Sequence, residues 1–421
     1  MDDEFTFKSK KRMDLRRERL LLLMLASVQF TSIVDFMVVM PLGPQLMRAL
    51  QINPAQFGLI VSCYTIAAGL AGLTASSVLD RFGRKSAFLT LYAGFLIGTL
   101  LCGLSWSYGT LLAARVVTGA FGGILGGMSL AIVGDVFPEE RRGRATGVLM
   151  SAFAVASVVG VPVGLWLGTK YGWQTPFLVL AALAFPIFFI ALRTLPPLRE
   201  HLIGEPHAHP LRKLVATFAH GGHLRAFALT IALMFGSFSL IPYISVYLVS
   251  NAGVLEEQLP WVYVTGGALT LVGAPWIGRM ADRFGKLQVY RVVAVISGGL
   301  MLAVANLWVA PLIVSVGLVG VLMVANAGRM VAALAMITGS VERAQRGGVM
   351  SANSAVQHLA SGLGAYIGGL ILVKRADGVL LHFDRVGLLA AAFTALSIWL
   401  AGRVRTAKEP ARAATTIPEA A

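Results

Sequence analysis

Three charged side chains lie inside long apolar stretches of the sequence, where a charge is costly. Asp35 is the one carboxylate well within such a stretch, and Arg115 and Arg329 lie in two later stretches. An ionisable residue in hydrocarbon marks a functional position by default, and a buried carboxyl group can exchange a proton within the working range of pH. Asp35 is therefore either a proton carrier or one partner of a structural ion pair.

The depths of these charges are compatible with a coupled pair. Asp35 lies about 15 residues into the first apolar stretch, roughly 22 Å along a helix at 1.5 Å per residue, which places it in the outer half of the membrane. Arg115 lies only a few residues into the fourth stretch, which starts from the outer side, so the two residues have similar depths in the membrane. A cation beside Asp35 would keep the carboxylate ionised until substrate or a conformational change released it. The sequence does not tell whether the two side chains meet. Arg329 lies deep in the tenth stretch, where it would line a cavity, bind an anionic group or pair with backbone carbonyl groups.

Several uncharged polar residues also interrupt the apolar stretches. They could line a central cavity with hydrogen-bonding and stacking groups, or they could join one helix to another. The candidates for the cavity are Gln29, Tyr243, Tyr247, Asn326, Asn353 and Gln357.

The composition indicates what must position these residues. Of the 421 residues, 57% are hydrophobic and only 13% are charged, about half the charged share of an average soluble domain. A chain of this kind has too few polar residues to cover a soluble surface, so lipid is its solvent. We predict an all-α membrane protein with twelve transmembrane helices. Their predicted spans are residues 20–47, 57–79, 86–105, 109–133, 145–169, 175–195, 226–250, 261–281, 289–309, 311–339, 347–373 and 386–404.

The helices are predicted to form two six-helix halves with pseudo-symmetry. The charged stretch Asp80-Arg81-Phe82-Gly83-Arg84-Lys85 returns as Asp282-Arg283-Phe284-Gly285-Lys286, and Gly147 to Ala152 returns as Gly348 to Ala352. Such a repeat predicts parallel halves related by an axis along the membrane normal. The predicted parts are a basic tail at 1–19, a first bundle at 20–195, a linker at 196–225, a second bundle at 226–404 and a tail at 405–421.

The basic residues predict the orientation. Most of the 35 lysine and arginine residues fall in the two tails and in the loops on the same side of the membrane. Under the positive-inside rule that side is the cytoplasm, with both termini there. The net charge of +15 therefore reflects topology and does not indicate binding to nucleic acid. We expect a multi-pass protein of a cell membrane, most simply a bacterial inner membrane, that acts as a monomer.

The two charged turns are candidates for a gate. Asp80 ends a helix, where an acid is disfavoured by the helix dipole, so a partner such as Arg81, Arg84 or the N-terminus of another helix is expected. Gly83 suits a left-handed turn. Asp282, Arg283 and Gly285 occupy the same positions in the second copy. A solvated turn that only sets topology is the alternative.

These turns resemble the signature loop of the major facilitator superfamily, in particular its twelve-helix drug:proton antiporter and sugar-efflux branch. The resemblance implies that each loop aspartate latches onto a helix of the other half and favours the outward-open state. Asp80 would then face the helix that starts near Gly347, and Asp282 the helix that starts near Gly147.

Two further stretches are similar to motifs of this family. Arg115 to Gly119, continuing to Gly123, resembles its fourth-helix motif, which links the arginine to proton transfer. Gly160-Val161-Pro162-Val163-Gly164 is similar to its antiporter motif, with one glycine after the proline where the family has two. A proline between glycines also lets any helix kink and pack closely. The motif residues Gly160, Pro162 and Gly164 favour export.

The sequence thus predicts a proton-coupled antiporter that exports small, drug-like or sugar-like molecules by alternating access. Uptake of a sugar or organic acid and a non-transporting receptor of the same fold are the alternatives. We expect no enzyme activity, because no phosphate-binding loop, catalytic triad or zinc pattern is present. The expected partners are a small-molecule substrate, protons and lipid, with no cofactor and no metal.

Overall fold

The computed structural model describes residues 15–78, 82–197, 217–342 and 345–404. Twelve long helices follow one another along the chain. They are α1 Leu15–Val38, α2 Pro54–Val78, α3 Arg84–Gly103, α4 Tyr108–Val136, α5 Glu139–Tyr171, α6 Thr175–Thr194, α7 Gly221–Ser250, α8 Leu259–Phe284, α9 Lys286–Ala305, α10 Leu312–Gly339, α11 Arg346–Ile371 and α12 Phe383–Ala401. A short helix, Gly43–Ala49, follows α1, and an antiparallel pair, β1 Val373–Lys374 and β2 Leu380–Leu381, precedes α12.

Ten of these helices are long and apolar enough to cross a membrane. The other two are α8, which packs on α5 of the other set of helices, and α11, which packs on α2. Helices satisfy their own backbone hydrogen bonds, as hydrocarbon requires. The predicted twelve-helix fold is confirmed. The first predicted span, 20–47, is too long, because α1 ends at Val38. Pro41 lies in the turn that follows, and Pro44 lies in the first turn of the short helix.

The packing of α1 to α6 is repeated by α7 to α12. In the first set α2 and α3 pack on α4, α3 packs on α6, and α1 packs on α5 and α6. In the second set α8 and α9 pack on α10, α9 packs on α12, and α7 packs on α11 and α12. Each of these pairs therefore recurs six helices later, which is the structural counterpart of the repeated charged turn.

The two ends of the bundle differ. The basic end is the end that holds the start of α1, the end of α12 and the junctions between α2 and α3, α4 and α5, and α8 and α9. Arginines of the adjoining helices, such as Arg84, Arg141 and Arg283, flank these junctions. The far end is the opposite one. Tryptophans are exposed there, with Trp106 at 81% and Trp308 at 83% exposure, as expected where side chains meet a membrane interface.

One apolar core joins both sets of helices at the far end. It contains residues of the first set, such as Val34 and Phe57, together with Leu248, Leu259 and Phe383 of the second. Among the described residues, the clusters nearer the basic end each belong to one set. At the basic end, a Cβ added at Gly147 or at Gly347 would meet nothing within 4 Å. The far end is therefore sealed, and the two sets separate toward the basic end.

A charged contact accompanies this seal. Arg48 donates hydrogen bonds to Glu256, with Nη1 to Oε1 at 2.7 Å and Nη2 to Oε2 at 3.0 Å. The hydrogen bonds to Glu256 raise the pKa of Arg48, which therefore stays charged at any physiological pH. The Arg48 side chain is 66% exposed, and exposed pairs contribute at most about 1 kcal/mol. Apolar packing, not this pair, dominates the seal.

Parts of the predicted domain division lie outside the described residues. These are residues 1–14 of the first tail, 198–216 of the linker and the tail 405–421. The predicted bounds of the tails, the halves and the linker stay predictions.

Candidate functional site

Asp35 and Arg115 meet inside the first set of helices. Arg115 of α4 donates from Nη1 to Asp35 Oδ2 at 2.7 Å and to the Asp35 carbonyl oxygen at 3.3 Å. Their side chains are 0% and 1% exposed. Because removing either partner would leave the other as an unpaired buried charge, the two groups are tightly coupled.

Two neighbouring side chains complete the surroundings of the pair. Thr99 of α3 donates its hydroxyl to Asp35 Oδ1 at 3.1 Å. The Arg115 guanidinium carbon lies 4.3 Å from the centre of the Tyr64 ring of α2, a cation–π contact. Arg115 Nε, although buried, has no hydrogen-bond partner among the described residues. The cation is thus held by the carboxylate and the backbone carbonyl oxygen of Asp35 and by the Tyr64 ring, and its Nε donor is unused within the described part of the chain.

Glycines of α4 make room for Tyr64. A Cβ at Gly119 would collide with the Tyr64 carbonyl oxygen, and a Cβ at Gly122 would lie 3.0 Å from the Tyr64 hydroxyl. Arg115, Gly119 and Gly122 are spaced i, i+4, i+7, which places them on one helix face. The face of α4 that carries Arg115 therefore also carries the two glycines against which its aromatic partner, Tyr64, packs.

The antiporter-like stretch packs α5 against α1 beside Asp35. A Cβ at Gly160 would collide with Val34, and one at Gly164 would lie 2.7 Å from Val38. Just before Pro162, residues Ala156–Gly160 form a π-helical segment within α5. Proline has no N–H to donate within a helix, and single π turns are one way in which a helix adjusts.

Replacing Gly160 by valine is expected to destabilise the protein by about 1–3 kcal/mol, because the new side chain overpacks the contact with Val34. Thermal unfolding in detergent measures this change. Gly147→Val on the same helix is the matched control, since a Cβ there meets nothing within 4 Å. Equal stability of the two variants would contradict a close α1–α5 contact at Gly160.

Arg329 is fully buried in the second set and has only neutral partners among the described residues. Its Nη1 donates to Thr394 of α12 at 2.8 Å, and its Nη2 donates to Ser237 of α7 and to Asn326 at 2.7 Å each. Asn326 also accepts from Ser297 of α9 at 3.1 Å. Arg329 thus ties four helices together.

The remaining cavity candidates fall into two groups. Asn353 accepts from Thr230 at 2.6 Å, and together with Gln357 it borders a small pocket between α7, α10 and α11. Gln29 lies beside Gly126 of α4, and its buried Oε1 has no partner among the described residues. Tyr243 and Tyr247 instead belong to the core of the sealed far end.

Both tyrosine hydroxyls are already used in that seal. The Tyr243 hydroxyl donates to the Ala365 carbonyl oxygen, and Tyr247 donates to the Leu307 carbonyl oxygen at 2.9 Å. Either residue would reach a substrate only after the far end opened.

The charged turns are described in part. Asp80 and Arg81 lie outside the described residues, whereas Arg84 pairs with Asp135 at the end of α4, with Nε to Oδ2 at 3.2 Å. Gly83 has φ −58°, so the left-handed turn predicted there is wrong: the residue is extended backbone that leads into α3. The left-handed glycine is Gly285, with φ +95°.

The second turn is exposed, and its latch is not formed. Asp282 and Arg283 are solvent-exposed, and Asp282 makes no ion pair within the described part of the chain. The Arg283 guanidinium lies 5.2 Å from the centre of the Phe284 ring. Contact between Asp282 and the helix near Gly147 would require the basic end to close.

Sequence reasoning missed Tyr64, Thr99 and Asp135. Tyr64 and Thr99 are single polar residues in apolar stretches, a pattern that many structural residues share. Asp135 lies near the end of a stretch, where it reads as part of a loop. Only the geometry distinguishes these residues from others of the same type.

Comparison with known proteins agrees with this architecture. The sequence model of the Major Facilitator Superfamily matches residues 25–323 and 226–420. Rv1250 of Mycobacterium tuberculosis, an uncharacterized MFS-type transporter, is 34% identical over 172 residues, which are 41% of this chain and 30% of that protein. YbcL of Bacillus subtilis, another uncharacterized MFS-type transporter, is 22% identical over 380 residues, which are 89% of this chain and 94% of that protein.

The fold is also similar to a solved transporter. A bacterial homologue of the human lysosomal transporter Spinster, crystallised inward-facing and unoccupied, aligns with a TM-score of 0.76 and 16% identity. The alignment covers 94% of this chain and all of that one. The family match extends over most of the twelve helices and includes both charged turns. The chain therefore belongs to the Major Facilitator Superfamily, and it is a multi-pass membrane transporter rather than an enzyme.

Proposed function

We propose that this chain is a proton-coupled antiporter that exports small organic molecules, with Asp35 as the proton carrier and Arg115 as the residue that tunes it. The observation that carries the proposal is the fully buried Asp35–Arg115 ion pair. Burial opposes both charges, so the pair stays ionised only while its geometry is kept. A change in the packing of α1 on α4 would therefore release the carboxylate to take up a proton.

The direction of transport rests on α5. Its glycine face packs on α1 next to Asp35, and its π-helical segment contacts Gly267 of α8 in the other set. A shift of α5 relative to α8 would thus reach the ion pair. The likeness of residues 160–164 to the antiporter motif supports export, and uptake is the opposite outcome of the experiment below.

The orientation follows from the charges. We propose that the basic end faces the cytoplasm of a bacterial cell, with both termini there, because the two tails and the loops of that side together hold most of the lysine and arginine residues. The sealed far end then makes this an inward-facing state of a monomer. The predicted latches of Asp80, Arg81, Gly83 and Arg84, and of Asp282, Arg283 and Gly285, would form when the basic end closes.

The proposed substrate cavity lies between the two sets of helices and opens toward the basic end. Gln29, Asn353 and Gln357 would supply hydrogen bonds to a substrate. Asn326 and Arg329 would stiffen the cavity wall through their contacts with α7, α9 and α12. No cofactor enters the cycle, since the energy comes from the proton gradient.

The test is transport by purified protein in liposomes under an imposed pH gradient. Ethidium, chloramphenicol and isopropyl thiogalactoside serve as probes, and a pH-sensitive dye inside the vesicles reports proton movement. We expect protons and one of the probes to move in opposite directions. Movement in the same direction would support uptake, and a lack of gradient-driven flux for every probe would support the non-transporting receptor.

Asp35→Asn is expected to lower gradient-driven flux to the level of empty vesicles, because an amide cannot carry the proton. Exchange of labelled for unlabelled probe without a gradient should persist, since the variant can still alternate. Glu256→Gln is the control, because it neutralises a carboxylate at the exposed Arg48 contact. Equal flux in Asp35→Asn and the parent would remove Asp35 from the mechanism.

A further inference from the structure

A row of three aromatic rings connects the buried ion pair with the other set of helices. Phe36 follows Asp35 in α1, and its ring stacks on Tyr64 of α2 with centroids 5.2 Å apart and planes at 27°. Phe36 also stacks on Phe238 of α7, with centroids 6.1 Å apart and the same angle. The Arg115 guanidinium lies over the Tyr64 ring. The rings of Tyr64, Phe36 and Phe238 are named here the aromatic bridge.

The bridge has little freedom to move while the far end is sealed. Tyr64 is 2% exposed and packs against α4 at Gly119 and Gly122, where a Cβ atom would leave too little room. Phe238 packs against the apolar core that joins both sets at the far end. A displacement of the Tyr64 ring must therefore be transmitted to Phe36 and Phe238, because close-packed interiors carry strain.

Protonation of Asp35 changes the interactions that stabilise the Arg115 guanidinium next to the aromatic bridge. When a proton from cavity water forms an O–H bond on the Asp35 carboxylate, the ion pair is lost while Arg115 keeps its charge. Thr99 still reaches the carboxyl group, but it offers nothing to the cation. The face of the Tyr64 ring then stabilises the desolvated guanidinium together with the Asp35 backbone carbonyl oxygen, which accepts from Arg115 Nη1 at 3.3 Å.

We propose that the aromatic bridge conveys the protonation state of Asp35 to the far-end seal, with Tyr64 as the positioning residue for Arg115. The proposal rests on the proposed proton-coupled function. It assigns Phe238, a residue of the other set, to the coupling of proton binding with opening of the far end.

The titratable groups around the pair are few. Tyr64 and Cys102 act on Asp35, and Cys63 acts on Arg115. Tyrosine and cysteine ordinarily lose their protons above pH 8, and arginine stays charged. Asp35 is therefore the group of this cluster that can accept a proton as the pH falls.

The test measures the far-end distance as a function of pH in reconstituted protein, so it needs no substrate. Spin labels are placed at Trp106→Cys and Trp308→Cys, exposed positions in the two sets, after the free cysteines Cys63 and Cys102 have been replaced by alanine. Pulsed electron resonance then gives the fraction of molecules with the far end open at each pH.

The parent and Tyr64→Phe, which keeps the ring, are expected to show the same pH-dependent change in this fraction. Tyr64→Leu removes the aromatic partner of the cation and leaves it the Asp35 backbone carbonyl oxygen. The protonated state is then less stable, so the midpoint of the pH response should fall by about one pH unit, a tenfold change in proton affinity. Phe238→Leu should lose the change in distance. Phe235→Leu on the same helix, whose ring instead pairs with Phe393, should behave as the parent.

The following results would contradict the proposed role of the aromatic bridge. A parent-like response in both Tyr64→Leu and Phe238→Leu would overturn it, and if Asp35→Asn still abolished the response, the proposed proton coupling would stand alone. Loss of the response in Phe235→Leu would replace the bridge by a general packing effect. A parent without any pH response would overturn the bridge, and Asp35-dependent flux in liposomes would then show whether the transport proposal survives. Tyr64→Phe and Phe238→Leu keep the test decisive if Tyr64→Leu fails to fold.

Discussion

Arg115→Met is expected to destabilise the protein by about 3–5 kcal/mol, the usual cost of leaving one member of a buried ion pair without its partner. Asp35 would then be a buried carboxylate that retains only the hydroxyl of Thr99. The Asp35 side chain would then either stay charged in an apolar site or stay protonated, and either state lowers the stability of the folded protein. Reversible unfolding in detergent, followed by a signal that reports helix content, measures the difference from the parent.

The same replacement at Arg329 is the matched control. Arg329 is as deeply buried, but its acceptors are neutral, and Ser237 and Thr394 also donate to carbonyl oxygens of their own helices at 2.8 Å. Arg329→Met therefore leaves no buried charge behind and is expected to cost less than Arg115→Met. Equal losses at the two arginines would contradict the view that the carboxylate makes the difference.

A second variant separates stability from transport. Asp35→Asn combined with Arg115→Met removes both charges, so most of the lost stability should return. Gradient-driven flux should not return, because the proton carrier is gone. Recovery of flux in the double variant would contradict the proposed role of Asp35.

Gly58→Val is expected to open the far end. A Cβ at Gly58 of α2 would collide with the Tyr243 hydroxyl and lie 2.8 Å from the Ala365 carbonyl oxygen, and both groups belong to the other set of helices. Overpacking costs about 1–3 kcal/mol, and here the cost falls only on the sealed state. The population should therefore shift toward the open far end by roughly 5- to 150-fold.

The labelling rate of a cysteine hidden in the seal measures this shift. Val246 is 2% exposed and packs near Gly43 of the other set, so Val246→Cys should react with a membrane-impermeant maleimide only when the far end opens. Gly72→Val on the same helix is the control, because a Cβ there lies at an ordinary 3.8 Å from Ala355. Equal labelling in the two variants would contradict the assignment of Gly58 to the seal.

The architecture could be predicted from the sequence because a lipid solvent allows few folds. Apolar length and basic loops predict twelve helices and their alternation, and a repeated charged turn predicts the repeat. The similar depths of Asp35 and Arg115 made contact possible, but the distance of 2.7 Å depends on how α1 packs on α4. That packing is set by glycines whose neighbours are remote in the chain, and no local pattern specifies it.

Other features could not be predicted for related reasons. Residue type allows Tyr243 and Tyr247 to line a cavity or to join helices, because a tyrosine suits either place when its hydroxyl donates to a carbonyl oxygen. Only the structure shows that both lie in the far-end core in this state. The π-helical segment before Pro162 depends on how α5 adjusts its backbone hydrogen bonds to the missing N–H of the proline. Gly83 was assigned a left-handed conformation from residue type, and the chain direction into α3 decided otherwise.

The shared apolar core at the far end has a thermal consequence. Opening that end to water would hydrate side chains such as Val34, Phe57 and Leu259, and hydration of apolar surface raises the heat capacity. The free-energy difference between the state with a sealed far end and the state with an open far end must then depend on temperature in a curved, non-linear way. Because apolar association weakens on cooling, the open face should gain population in the cold without any change in proton concentration or ligand.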